Sequence, residues 1–179
     1  MRYIIHKNIN KFLFTTSNLN LIFLRGQNDE TGLIETEFDP DIHESSDTLR
    51  FSDNDDHKPV TDAKIILPSR ILTSLYVAPF NGYAYINNIW IRDLRVRLAD
   101  DIFRADNIRV QNLDIMSERS KIDLSILGSM TDYDYNLNVT DLDMRTEEDG
   151  LIHQEEKGKI YIKNKGRANL LFRGYKYEK

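Results

Sequence analysis

The stretch NNIWIRDLRVRL at residues 87–98 is followed by DNIRVQNLDIMS at residues 106–117, and the second repeats the apolar pattern of the first after 19 residues. Within each copy, apolar side chains alternate with polar ones, as in a β-strand with one buried face. Three copies place apolar pairs at matching positions: Leu75 and Val77, Leu94 and Val96, Leu113 and Ile115. A period of about 20 residues built from short strands predicts a β-solenoid, whose coils must stack to bury their apolar faces.

The same alternation continues along the rest of the chain, and no stretch has the apolar spacing of an amphipathic helix. We therefore predict an all-β fold: a single-stranded β-solenoid (β-helix-like) with coils of about 19–20 residues, capped at both ends. The leucine-rich repeat is a weaker alternative, because its ladder needs Asn or Cys where this chain has Ala99 and Glu118. An antiparallel β-sandwich shows similar alternation and stays open as an alternative.

The chain has 179 residues, the size of a single domain with a core of its own. Within one β domain we expect an N-terminal cap and acidic loop over residues 1–62, solenoid coils over 63–154 and C-terminal cap strands over 155–179. Residues 28–62 hold twelve acids against two Lys or Arg, whereas residues from 155 onward hold eight Lys or Arg against three acids. Most of this charge is expected to lie on solvated faces, and the alternative is that the basic end attracts the acidic stretch or an anionic partner.

Several chemistries lack the residues they require. The chain has no cysteine, which excludes disulfides, thiolate zinc sites and a cysteine nucleophile. No GxxxxGK[ST], GxGxxG or GxSxG motif occurs, so neither a phosphate-binding loop nor an activated serine is indicated. We expect no catalytic residue and no cofactor.

Metal binding is not indicated either. The segment DNDDHK at 53–58 is rich in carboxylates but lacks the glycine and the distant glutamate of a calcium loop. The four histidines have no partner at the spacing of a metal-binding face: His6, His43, His57 and His153. We therefore predict no metal site.

The location is predicted from two segments. MRYIIHKNINKF at the start has no apolar run of signal-peptide length, and LNLIFLRG at 19–26 is too short to cross a bilayer. We expect a cytoplasmic protein without membrane insertion.

Residues 64–97 read KIILPSRILTSLYVAPFNGYAYINNIWIRDLRVR: one strand ends at Leu67-Pro68, and the next coil begins Leu-x-Val and turns at Asn81-Gly82. Further turns are expected at Asp100-Asp101, Arg119-Ser120 and Asp149-Gly150. Over roughly residues 60–165 the chain resembles the bacterial putative-adhesin family of β-solenoid domains, whose members are mostly of unknown function. The resemblance implies the solenoid fold and a possible place at the cell surface. Two features depart from the family: only one turn keeps Asn-Gly, and from the opening residues we expect no export signal.

Two groups of side chains are candidates for binding. Aromatic residues on an exposed sheet can stack on sugars or on a partner's side chains, and otherwise they cover the core. The candidate interaction surface comprises Tyr76, Tyr83, Tyr85, Trp90, Tyr133 and Tyr135. Clustered aspartates serve some carbohydrate-cleaving enzymes, although solubilising acids on an outer face are the simpler interpretation: Asp132, Asp134, Asp141 and Asp143.

These patterns favour a non-enzymatic structural or protein-interaction module of the putative-adhesin type, with a protein partner or self-association and no small-molecule substrate. The alternative function is a carbohydrate-binding or carbohydrate-cleaving surface protein. Nucleic-acid binding is not expected at a net charge of −5. If the basic segment 157–179 did bind nucleic acid, the affinity would depend steeply on salt.

Overall fold

A computed structural model describes residues 1–53, 59–147 and 156–173 of the chain. Strands account for 74% of the residues that the structure describes, which confirms the all-β prediction, and in the described ranges the only helix is a 3-10 turn, Met130–Asp132. The strands form one mixed sheet. Their bounds are β1 Arg2–Ile5, β2 Lys11–Ser17, β3 Leu19–Arg25, β4 Gly32–Thr36, β5 Asp41–Ser45, β6 Thr48–Asp53, β7 Thr61–Leu67, β8 Leu72–Phe80, β9 Tyr83–Asn87, β10 Trp90–Leu98, β11 Ile102–Ser117, β12 Lys121–Leu127, β13 Tyr133–Glu147 and β14 Gly158–Arg173.

The sheet contains two stacks of strands joined by the long strands β11, β13 and β14. Stack A runs β5, β6, β2, β8, β10, the second half of β11, the first half of β14 and the first half of β13. Stack B runs β1, β4, β7, β3, β9, the first half of β11, β12, the second half of β14 and the second half of β13. Only the pairings of β1, β4 and β5 are antiparallel among the described strands.

The core lies between the two stacks, because the sheet curls and brings them face to face. The ring of Phe14 in stack A meets the ring of Phe23 in stack B edge-on, with 4.8 Å between centroids. Phe51 packs on Phe14 at 5.3 Å. Alternate residues of each strand are therefore buried, and the intervening residues form the outer faces of the two stacks.

The 19-residue displacement is confirmed as a strand register. Leu94 pairs with Leu113 on one side and with Leu75 on the other, in parallel strands. The corners keep the same period: Asn88 and Asn107 both take the left-handed backbone conformation, with φ of 56° and 53°. Asparagine tolerates that conformation better than most other non-glycine residues, so its recurrence helps the chain to turn at the same point before β10 and within β11.

The N-terminal segments occupy positions other than those expected from the sequence. The segment 1–27, expected as a cap, contributes two inner strands. Strand β2 lies between β6 and β8, and strand β3 lies between β7 and β9. The acidic stretch, expected as a loop, contributes the strands β4, β5 and β6. In β6 the buried pair Leu49 and Phe51 supplies the alternation that the surrounding acids obscure.

The C-terminal strands also pair out of chain order. The next neighbour of Leu113 is Ile160 of β14 in stack A, whereas Leu142 of the preceding strand β13 lies in stack B, at the edge beside Ala168. Ile122 pairs with Phe103 in stack B. The expected C-terminal cap therefore contains an inner strand, because β14 lies between β13 and the strands β11 and β12.

Candidate interaction surfaces

Tyr133 and Tyr135 pack against the core. Tyr133 is 4% exposed, and its hydroxyl donates a hydrogen bond to the carbonyl oxygen of Val110 at 2.7 Å. The hydroxyl of Tyr135 donates to the carbonyl oxygen of Met130 at 2.6 Å, and its ring meets Phe172 edge-on at 6.3 Å. Burial raises the pKa of Tyr135 to about 12. Both tyrosines belong to β13, and their rings therefore help to close the end of the core at this edge strand.

Tyr83 and Tyr85 lie on the outer face of stack B. The hydroxyl of Tyr85 donates to a carboxylate oxygen of Asp106 at 3.0 Å, and Arg104 contacts that oxygen at 2.8 Å. The Arg104 guanidinium also lies 5.7 Å from the centre of the Tyr85 ring. Burial raises the pKa of both tyrosines, and the hydrogen bond to Asp106 adds to the rise at Tyr85. Within this cluster the positive charge of Arg104 is neutralised by the carboxylate of Asp106.

Trp90 lies between two arginines at the start of β10. The guanidinium of Arg25 is 4.5 Å from the ring centre, and that of Arg109 is 5.7 Å away. Arg25 also donates two hydrogen bonds to the carbonyl oxygen of Ser69, at 2.8 and 3.1 Å. Trp90 and Arg109 are register partners. The indole thus takes part in cation–π packing at a corner of the sheet.

Tyr76 is the predicted residue that lies on the outer face of stack A, where it is partly exposed. In the register it lies between Leu13 of β2 and Arg95 of β10. The six predicted aromatic residues are therefore divided among the core end, the outer face of stack B, a corner and the outer face of stack A.

Sequence reasoning missed the neighbours of Tyr76 on this face. Arg95 is in register with Asp114 of β11, and Asp114 is in register with Tyr161 of β14. Lys159 and Lys163 flank Tyr161 on the same side of β14, because alternate residues share a face. The alternation Lys-x-Tyr-x-Lys could be seen in the sequence. The sequence did not indicate that this strand, β14, pairs with β11.

The four candidate aspartates each have a contact of their own. Asp132 is buried and accepts a hydrogen bond from the Ser129 backbone at 3.2 Å, which caps the 3-10 turn. The other three contact cations: Asp134 with Lys157 at 3.4 Å, Asp141 with Arg167 at 3.7 Å, and Asp143 with Arg145 of the same strand at 2.7 Å.

β13 forms an edge of both stacks. Among the described strands its 15 residues pair with β14 alone. Its apolar side chains face the core but are less covered than those of its neighbour: Leu142 is 38% exposed, whereas its partner Ala168 is fully buried. A long edge whose second row of backbone groups pairs with no strand in the described ranges is able to accept a further strand.

Two absences apply to the described residues alone. No three His, Asp or Glu side chains come together there in a way that could hold a metal ion, and most of the carboxylate-rich segment 53–58 lies outside the described ranges, as do His57 and His153. Within residues 1–53, 59–147 and 156–173 no helix is long and apolar enough to span a bilayer.

The fold and its faces define an all-β protein built on a curled, mixed sheet of 14 strands. Among solved structures, the chain is similar to a putative cell adhesion protein from Clostridium sporogenes ATCC 15579, with a TM-score of 0.57 over 98% of this chain and 99% of that one. At 12% identity the likeness concerns the fold. No protein-family model matches the chain, and no curated protein matches it.

Proposed function

We propose that the chain is a non-enzymatic β-solenoid domain whose function is to bind a polypeptide partner. The solenoid is supported by the parallel register in which residues 19 positions apart, such as Leu94 and Leu113, stack in neighbouring strands. A binding role without chemistry is supported by the individual contacts of the candidate aspartates with cations, and by the cell-adhesion label of the structural neighbour.

The β13 edge is the observation that carries the proposal. A partner that adds an extended strand beside β13 would pair with its unpaired backbone groups and cover the apolar side chains that face the end of the core. Leu142 is the most exposed of these side chains and would be covered by such a strand. The other end of the sheet has much shorter antiparallel edges, β1 and β5, which offer little length for pairing.

Site-specific cross-linking tests this function, because a cysteine-free chain accepts one cysteine as a unique attachment point. A photo-cross-linker on Asn138→Cys in β13 is compared with one on Lys64→Cys, which lies on an outer face in β7. In extracts of the native cells, the β13 probe is expected to capture a defined protein that the β7 probe does not. Equal capture at both positions, or none at either, contradicts the edge as the binding site.

A matched pair of substitutions then measures the contribution of the edge with the captured partner. Leu142 and Met116 are both 38% exposed, but Leu142 is on the edge strand and Met116 is on β11 inside stack A. Leu142→Lys is expected to weaken binding about tenfold or more, whereas Met116→Lys leaves it within about twofold, because only the first buries a charge beneath the added strand. Equal effects of the two substitutions are inconsistent with strand addition.

The cytoplasmic location stays part of the proposal, and the cell-adhesion label of the neighbour favours the surface instead. Fractionation of native cells with detection of the protein decides between them. Recovery in the cytosolic fraction supports an intracellular partner, and recovery at the surface or in the medium contradicts it.

A further inference from the structure

The outer face of stack A carries cations that no other described side chain neutralises. Arg95, Lys159 and Lys163 are exposed and form no ion pair with any residue that the structure describes. They lie around Tyr161 on strands β10 and β14, with β11 between them. Together with Tyr76 beside Arg95, these five residues are called the basic face below.

The carboxylates near the basic face leave it with a positive balance. Asp114 receives two hydrogen bonds from the Arg97 guanidinium, at 2.7 and 3.1 Å, and Asp134 pairs with Lys157 at 3.4 Å. Asp93 accepts a hydrogen bond from the amide of Asn112 at 2.7 Å. Of the three carboxylates, only Asp93 therefore has no cationic partner among the described residues. The basic face has three cations without an anionic partner in those ranges, so positive charge is in excess there.

The outer face of stack B does not share this excess of unpaired positive charge. Its cations have acidic partners there: Lys64 with Glu35 at 3.8 Å, Lys121 with Asp123 at 3.3 Å and Arg167 with Asp141 at 3.7 Å. In a protein with a net charge of −5, unpaired cations gathered on one face point to an anionic ligand.

The spacing of the basic face matches an extended polypeptide. Lys159, Tyr161 and Lys163 follow one another on one side of β14, so neighbouring members are about 6.6 Å apart, the repeat of alternate side chains in any extended chain. An acidic segment parallel to β14 would place one carboxylate at each lysine and a side chain over the ring between them. Arg95 lies two strands from Tyr161, about 10 Å away, and extends the positive charge across the groove formed by Asn112 and Asp114.

We propose that the basic face binds an extended acidic segment of a polypeptide, with carboxylates at every fourth residue. The charged side chains supply charge complementarity, and Tyr76 and Tyr161 supply flat contact area at low entropic cost. This site is separate from the β13 edge, which offers backbone groups, so either proposal can fail while the other holds.

The test is a titration of the full chain against a fluorescent peptide of about nine residues, Glu-Ser-Tyr-Ser-Glu-Ser-Tyr-Ser-Glu, followed by anisotropy at low and at high salt. In an extended conformation its Glu and Tyr side chains share one face, with Glu at every fourth residue and Tyr midway between. The variant Arg95→Glu/Lys159→Glu/Lys163→Glu is compared with Lys64→Glu/Lys121→Glu/Arg167→Glu, which changes the net charge equally but on stack B. Saturable binding that weakens with salt, and that falls about tenfold or more in the first triple variant alone, supports the proposal.

Three results would overturn it: no saturable binding at low salt, equal weakening by the two triple variants, or tighter binding of polygalacturonate or single-stranded DNA than of the peptide. Circular dichroism checks that both triple variants are folded. If the first is not, Arg95→Gln/Lys159→Gln/Lys163→Gln replaces it, because neutral amides remove the positive charge without adding repulsion. The neutral variant must also lose binding about tenfold for the proposal to stand.

Discussion

Leu94 and Leu113 lie opposite each other in the parallel strands β10 and β11, although 19 residues separate them in the chain. The column continues to Leu75 on one side and Ile160 on the other. All four side chains are buried in one core. Each strand therefore covers the apolar face of the next, which is how a short repeat that could not fold alone becomes stable in a stack.

This column predicts coupled losses of stability. Leu94→Ala and Leu113→Ala should each lower the free energy of unfolding by about 2–5 kcal/mol, because each leaves a cavity in a fully packed core. The double variant should lose less than the sum, since the two side chains are neighbours and share one cavity. Urea unfolding measures all three, with exposed Arg92→Ala expected within about 0.5 kcal/mol of the parent chain. Strict additivity of the two leucine substitutions would contradict the pairing.

Asp101 predicts a pH dependence at the corner after β10. It is 7% exposed, and its two carboxylate oxygens accept hydrogen bonds from the backbone N–H groups of Gly82 and Ala99, at 3.3 and 3.1 Å. Burial raises its pKa above the ordinary 3.8 despite those hydrogen bonds. The folded state thus holds the proton more tightly than the unfolded state, and the stabilisation is complete below 3.8 and is lost as the pH rises through the folded pKa.

The variant Asp101→Asn isolates this effect. Its amide has one oxygen for two N–H donors, so it should lose about 1–3 kcal/mol of stability. The stability of the parent chain relative to the variant should fall as the pH rises from 3.8, because only the parent ionises there. Denaturant unfolding at a series of pH values checks the sign, and a relative stability that rises with pH would refute the raised pKa.

Gly82 predicts a steric requirement at another corner. A Cβ atom at this position would overlap the backbone carbonyl of Leu19 in the neighbouring strand β3, and backbone cannot move aside as a flexible side chain does. Gly82→Ala should therefore cost about 1–3 kcal/mol. Thermal unfolding measures it against Glu118→Ala, an exposed corner substitution that should be nearly neutral. A neutral Gly82→Ala would show that β3 and β9 are further apart than described.

The register was predictable where the signal was local. Leu75, Leu94 and Leu113 follow one another in both chain and space, so a fixed displacement in the sequence became a fixed pairing in the sheet. The neighbour of Leu113 beyond that was not predictable. The strands β13 and β14 show similar alternation, so the sequence does not indicate which is the inner one. In the structure Ile160 of β14 is 1% exposed, whereas Leu142 of the edge strand β13 is 38% exposed.

The same limit applies to the candidate surfaces. Tyr76 could be singled out from its own strand, and Arg95 lies beside it through the 19-residue register of β8 and β10, but Tyr161 joins them only because β14 pairs with β11. Tyr133 cannot be told apart from Tyr76 in the sequence, yet it is buried: it is the first residue of β13 and its hydroxyl donates a hydrogen bond to the carbonyl oxygen of Val110. Single-strand alternation reports which residues share a face, and it does not report which strands are neighbours.

The position of β14 is the central claim, because it creates both the basic face and the β13 edge, and cysteine pairs test it directly in a chain that has none. Met116 is in register with Lys163 of β14, and Lys163 with Asn138 of β13, so Met116 and Asn138 are two strands, about 10 Å, apart. A disulfide needs Cα atoms about 4.4–6.8 Å apart. Under mild oxidation Met116→Cys/Lys163→Cys should cross-link within the chain, and Met116→Cys/Asn138→Cys should not. Cross-linking of the second pair in place of the first would mean that the strands follow chain order, and it would contradict the account.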